Sequence, residues 1–198
     1  MMHANVAAVL LAAGGGSRFT GPGHKLSARL PDDGTERAAS VIERSIQHAL
    51  TASIGPLLVV TGAVPDVVPA HLRDRVLLRH NPAWADGQAT SVRAALRAAA
   101  ELGCDAVVVG LADQPSVGPE AWRRVARTDG AIVVATYDGR RANPVKLDAE
   151  IWDLVPDEGD EGARALMRVR PDLVREVACT GSPADIDTEE DLRRWPNS

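Results

Sequence analysis

Aliphatic residues along this chain fall into two kinds of run. Val6–Leu11 has no polar interruption, the pattern of a strand covered on both faces, and Leu57–Val60, Ala106–Val109 and Ile132–Ala135 repeat it. Between these runs the apolar positions are spaced for helices. Val41, Ile42, Ser45, Ile46, Ala49 and Leu50 share one helical face, and Val92, Ala95, Leu96, Ala99 and Leu102 share another. Such alternation predicts an α/β fold, a three-layer sandwich around a mostly parallel sheet. Pro31–Thr35 (PDDGT) reads as an exposed turn, and the stretch from Asn143 onward is less regular and is expected to carry a substrate lobe.

Composition narrows the class. A length of 198 residues fits one domain, and 45% apolar with 25% charged residues is ordinary for a soluble globular chain. Aromatics are scarce (four Trp, one Tyr, one Phe), so the core is expected to be built from Ala, Val, Leu and Ile. Asp plus Glu outnumber Lys plus Arg, 27 to 22, for a net charge of −5. That balance excludes a nonspecific nucleic-acid binder, which needs a basic footprint. A polyanionic ligand would have to be held by a few local cations and a metal. Cys104 and Cys179 lie far apart with no zinc-ligand spacing, which predicts a reducing, cytoplasmic setting. Val6–Ala13 lacks a preceding cationic region and runs into glycines, so it reads as a first strand and not a signal peptide. No apolar run approaches the roughly 18 residues of a membrane span, so no membrane partner is expected.

In open parallel sheets, ligands bind beyond the carboxyl ends of the strands. After the first strand comes Ala12-Ala13-Gly14-Gly15-Gly16-Ser17-Arg18-Phe19, with Lys25 following. Consecutive glycines let backbone N–H groups turn toward an anion, and Arg18 and Lys25 add charge, which makes a triphosphate cradle; the bland alternative is a flexible turn with two solvated cations. Neither common phosphate loop fits: Phe19 takes the third glycine of GxGxxG, and Lys25 is followed by Leu26 rather than Ser or Thr. The strand ending at Gly110 leads into Leu111-Ala112-Asp113-Gln114-Pro115. Asp113 there is either a Mg²⁺ ligand or the cap of the next helix. Asp185 and Asp187, two residues apart, are candidates for a second ligand, and Thr188 with Asp191 reads as a helix cap. Gly87 to Ser91 open the long helix, where they either meet a nucleoside or simply cap; Trp84 reads as a packing residue and His24 as a loop lining. There is no GxSxG and no cysteine in a nucleophile setting. A phosphate nucleophile is already ionised near neutrality (second pKa about 6) and needs positioning rather than a base.

Six segments in order, LAAGGGSRF, NPAWADGQATSVRAAL, LADQP, RRANPVKL, GDEGARALM and DIDTEEDL, resemble the MobA-like nucleotidyltransferases, nearest to the molybdenum cofactor cytidylyltransferases. The resemblance implies a nucleotide-diphospho-sugar transferase fold and Mg²⁺-dependent transfer of NMP from an NTP, with release of pyrophosphate. It implies a single domain with a nucleotide-binding part over 1–115 and an acceptor-binding part over 116–198. By position, Leu11, Ala12, Ala13, Gly14, Gly15 and Gly16 would wrap the nucleotide, with Arg18 and Lys25 on its phosphates. Gly87 and Ser91 would line the base and ribose pocket, Asp113 and Asp187 (or Asp185) would hold Mg²⁺, and Asn143, Asp160, Gly162 and Arg164 would face the acceptor. GTP-selecting relatives tend to read LAGG; the Ala13 methyl narrows the pocket against a purine and resembles the CTP branch. The implied acceptor is the terminal phosphate of molybdopterin, and the implied protein partner is a molybdenum enzyme or its chaperone. The alternatives are GTP with molybdopterin or with a phosphorylated hydroxy acid, and a nucleotide- or pterin-binding chaperone without transfer. Against the family pattern, the Arg18–Lys25 loop is longer, Ser27-Ala28-Arg29 replaces an apolar segment, and Asn143 stands where His is common.

Overall fold

A computed structural model describes residues 5–31 and 38–195, so the turn expected at Pro31–Thr35 lies, beyond Pro31, outside the described residues. Among them seven strands form one sheet: β1 (Val6–Ala12), β2 (Leu57–Thr61), β3 (Leu77–His80), β4 (Ala106–Leu111), β5 (Ile132–Tyr137), β6 (Arg140–Asp148) and β7 (Val174–Ala178). Their spatial order is β3-β2-β1-β4-β6-β5-β7, and only β6 runs antiparallel to its neighbours. The helices are α1 (Val41–Ala52), α2 (Ala70–Arg73), α3 (Gln88–Glu101), α4 (Pro119–Arg127), α5 (Ala163–Val169) and α6 (Glu189–Arg194).

The uninterrupted aliphatic strands feed both faces, because successive side chains alternate across the sheet. On β1, Ala8, Leu10 and Ala12 join Ile42 and Ile46 of α1 and Trp122 of α4 in one layer. Ala7, Val9 and Leu11 join Val92 and Leu96 of α3 and Met167 of α5 in the other. Each fully buried Val, Leu or Ile side chain contributes about 1.5–3 kcal/mol, so the sandwich follows from the pattern that predicted it. At the start of α1, Ser40 Oγ accepts from the Glu43 N–H while Glu43 Oε2 accepts from the Ser40 N–H, a reciprocal cap.

The irregularity expected from Asn143 onward is corrected: Asn143 lies in β6, nine residues long and inserted between β4 and β5. Its first half carries exposed polar residues and its middle a proline, which hides a strand from pattern reading. The register explains how proline is tolerated. Val145 pairs with Val134 but Ala142 pairs with Ala135, leaving Asn143 and Pro144 in a bulge where no ladder N–H is needed.

Chain order runs from β1 outward to β2 and β3, then returns to place β4 on the other side of β1. That reversal opens a crevice at the carboxyl ends of β1 and β4, between the glycines that follow Ala12 and the loop that carries Asp113.

Candidate active site

The glycine bend is pinned from beneath by a histidine. Gly16 has φ +62°, and a Cβ there would come within 3.1 Å of His24 Nε2. That Nε2 lies 3.0 Å from the Gly14 carbonyl, while Nδ1 accepts from the Leu26 N–H at 3.3 Å. These two bonds fix a neutral tautomer in which Nε2–H is the donor. Burial, reinforced by the Lys25 charge and only partly opposed by the Gly14 bond, pushes the His24 pKa below 6.5. His24 thus joins the bend to the turn Lys25–Ser27, a role beyond lining the loop.

Lys25 is buried, and its Nζ lies 2.5 Å from Asp113 Oδ2 and 2.8 Å from Asp187 Oδ1. Burial works against its charge, but the Asp113 and then the Asp187 carboxylates outweigh that, and its pKa is raised. Arg18, largely exposed, reaches Asp187 Oδ2 at 2.9 Å. Asp113 does not cap α4, whose N-cap is Gly118. Asp187 is delivered by the tail: the Ile186 N–H donates to the Asp113 carbonyl at 2.8 Å, and the expected Thr188–Asp191 cap starts α6 just beyond. Asp185 parts from Asp187 and accepts from Gln114 Nε2 at 2.8 Å; burial and then the Asp113 charge push its pKa up.

Across the crevice, Gly87 has φ +110° and lies against the backbone of Gly159, which leaves no room for a Cβ. The Ala89 N–H donates to the Gly159 carbonyl, and the Gly159 N–H to the Asp86 carbonyl, so the 159–162 segment folds over the start of α3. Ser91 is buried, its Oγ accepting from Asn81 Nδ2 at 3.0 Å. Trp84 packs its ring against Gly15, 3.5 Å from where a Cβ would sit.

These groups enclose a cleft of about 370 Å³. It receives Leu11, Ala12, Ala13, Gly14, Gly16, Arg18, Lys25, Gly87, Ser91, Asp113 and Asp187, all expected there, and also Asp160, which sequence reasoning placed with the acceptor. Gly15 is not itself a wall but lies against Trp84, which is one, and Gly162 is buried against Gln88 at the start of α5. Asn143 and Arg164 border a second cleft of about 380 Å³, with Val92, Val109, Val134, Val145 and Met167 among its walls and Arg141 and Arg168 beside them. Both clefts share Leu11, Gln88 and Leu111. Sequence reasoning gave no role to Arg141 and Arg168, and it read Gln88 only as part of the helix opening Gly87 to Ser91, not as a wall shared by two clefts. Arg141 lies within the RRANPVKL segment and Arg168 directly follows GDEGARALM, but neither exposed arginine announces which cleft it borders. Among the described residues, no group of three or more His, Cys, Asp and Glu is placed to hold a metal, and no helix is long and apolar enough to cross a membrane.

Comparison with known proteins identifies the family and the fold. The chain is 31% identical over 205 residues to a Paenarthrobacter nicotinovorans protein named nicotine blue oxidoreductase, an alignment covering 96% of this chain and 95% of that one. In fold it is similar to a nucleotidyl transferase from Methanothermobacter thermautotrophicus (TM-score 0.81, 24% identity, 97% of this chain and 96% of that one). It is likewise similar to the Mycobacterium tuberculosis protein Rv0371c in complex with manganese (TM-score 0.75, 28% identity, 98% and 99%). The MobA-like NTP transferase domain matches residues 8–177. Glycine bend, crevice and fold converge with these matches: the chain belongs to the MobA-like NTP transferase family and is a nucleotidyltransferase of that type.

Proposed function

We propose that this chain transfers CMP from CTP to the terminal phosphate of a molybdopterin-type acceptor, releasing pyrophosphate. The observation that carries the reading is Lys25 Nζ, held between the carboxylates of Asp113 and Asp187 beside the glycine bend. Two carboxylates that already converge on one cation have the chemistry for a divalent ion, which takes one or two carboxylates and completes its shell with phosphate oxygens and water. The manganese bound by the Mycobacterium protein supports a metal here, and we assign Mg²⁺ to Asp113 and Asp187. When bound, the ion would offset charge on the α-phosphate and the departing pyrophosphate.

The residues of the chain supply the rest. Backbone N–H groups of the bend, with Arg18 and Lys25, meet the phosphates, and Gly87 and Ser91 seat the nucleoside. The Ala13 methyl, on the wall of this cleft, disfavours a purine. The acceptor lies in the second cleft against its aliphatic walls, with Asn143 and Arg164 at its edge, and its phosphate reaches the nucleotide past Leu11, Gln88 and Leu111. An acceptor phosphate oxygen attacks the α-phosphorus; a P–O bond forms, the bond to the β-phosphate oxygen breaks, and the electron pair leaves with pyrophosphate. The nucleophile is already ionised, so no side chain has to take a proton. Free Cys104 and Cys179 accord with a cytoplasmic setting, and a molybdenum enzyme or its chaperone would receive the product.

Purified protein incubated with α-labelled CTP or GTP, Mg²⁺ and molybdopterin tests the reading. Label in a pterin dinucleotide, with equimolar pyrophosphate and CTP preferred, is expected. Transfer from GTP alone would replace the nucleotide assignment. Because the Paenarthrobacter relative is named an oxidoreductase, NADH consumption is followed in parallel; NADH oxidation without pyrophosphate would overturn the assigned reaction.

A further inference from the structure

Asp113 and Asp187 stand on segments distant in sequence, and two contacts beside the carboxylates hold those segments together. One is the backbone bond from Ile186 to Asp113. The other is Gln114. The residue is only 4% exposed, and its Nε2 donates to the Pro183 carbonyl at 2.9 Å and to Asp185 Oδ1 at 2.8 Å. A carbonyl can only accept, so the amide nitrogen must face the tail. The amide oxygen is consequently turned inward, buried and without a hydrogen-bond partner among the described residues. Burying an amide oxygen unpaired is unfavourable, and this orientation persists because the nitrogen spans two acceptors on residues 183–185, separated from Asp187 only by Ile186.

We infer that Gln114 is a positioning residue, a strut that sets the Asp187 carboxylate opposite Asp113. The inference rests on the metal role proposed above for that pair. Gln114 touches neither Asp187 nor the nucleotide cleft; it acts through the tail backbone, as outer groups orient metal ligands elsewhere. The Asp185 oxygen that Gln114 engages is committed to the strut, which separates the two tail aspartates: Asp187 faces Lys25 and Arg18, and Asp185 anchors.

The test measures Mn²⁺ affinity by electron paramagnetic resonance with a non-hydrolysable CTP analogue, so no turnover is needed. Gln114→Met keeps the bulk and removes the donor; it should weaken Mn²⁺ binding about tenfold while leaving analogue affinity at saturating Mn²⁺ unchanged. Asp185→Asn keeps an acceptor oxygen and should bind Mn²⁺ like wild type. If Gln114→Met does not fold, Gln114→Asn, too short to span both acceptors, is expected to show the same loss. Unchanged Mn²⁺ affinity in a folded Gln114 variant, or equal losses of metal and analogue, would overturn the strut. Loss in Asp185→Asn as large as in Asp187→Ala would make Asp185 a ligand and overturn it as well. Wild-type protein that binds no Mn²⁺ would bring down the metal assignment itself, an outcome distinct from a wild type that binds and variants that match it.

Discussion

The two clefts meet at Leu11, Gln88 and Leu111 but are built on opposite principles. In the first, charged groups hold one another: Lys25 bridges two carboxylates, Arg18 shares one of them, and His24 ties the bend to the lysine turn. In the second, aliphatic side chains of β4, β5, β6, α3 and α5 make the walls, and the arginines sit toward solvent. Arg141 is paired with Glu176 and Arg168 with Glu161, whereas Arg164 has no ion pair among the described residues. Exposed pairs of this kind are worth only about 0–1 kcal/mol, so those arginines exchange partners at little cost. Under the proposed reaction the difference would divide the labour. A preorganised charge cluster would serve the polyanionic nucleotide, while an apolar slot with adaptable cations would decide which acceptor takes part.

Substitutions that separate nucleotide handling from acceptor handling put this division at risk. The largest effect is expected for Asp113→Ala, which should lower pyrophosphate release about 10³-fold, in the range seen when a charge-stabilising group is removed. The contact to the tail uses the Asp113 backbone carbonyl, which alanine keeps, so circular dichroism should show an intact fold. Near-normal release would sink the metal assignment. Lys25→Met should cost about 10²-fold in kcat/KM for CTP and leave the acceptor KM alone; a larger shift in acceptor KM would merge the two clefts into one functional unit. Arg164→Ala should do the reverse, raising acceptor KM about tenfold, the scale of a lost charge-assisted contact. If CTP affinity falls instead, the second cleft is not the acceptor seat.

How far the sequence foretold these clefts follows the same divide. The buried strands, the helix faces and the glycine bend obey local rules, since unbroken aliphatic runs need cover on both sides and consecutive glycines need close approach. Asp113 was legible because it follows a strand end, a position fixed by fold class. What a single sequence does not carry is the meeting of distant segments. Nothing near Gln114 announces that it will span to Pro183 and Asp185, and nothing near Gly159 announces that it will lie on Gly87, which draws Asp160 into the first cleft. Strand β6 was hidden for another reason: its bulge lets Asn143-Pro144 sit inside a sheet, where proline normally argues against a strand.

The comparison sharpens further at single groups. Ala13→Gly removes one methyl from the nucleotide cleft and should raise GTP use relative to CTP about tenfold, the lower range for a methyl-sized change; competition between labelled nucleotides measures it, and an unchanged ratio would move base selection elsewhere.

The smallest effect is expected at His24, and its sign can be worked out. Burial, which favours the neutral ring, lowers its pKa from 6.5 in the folded protein. The stabilisation from neutral His24 is therefore fully present above pH 6.5 and is lost as pH falls through the lowered folded value. Protonated Nδ1 becomes a donor facing the Leu26 N–H donor, so the turn carrying Lys25 loosens from the glycine bend. CTP affinity of the wild type should fall a few-fold between about pH 7.5 and about pH 5.5. The phosphate itself titrates near pH 6, so the decline alone proves nothing. In His24→Gln the nucleotide contribution remains while the imidazole contribution is gone, and the pH profile should be shallower than that of the wild type. Profiles of equal slope would assign the whole decline to the nucleotide and leave His24 a strut without a titration.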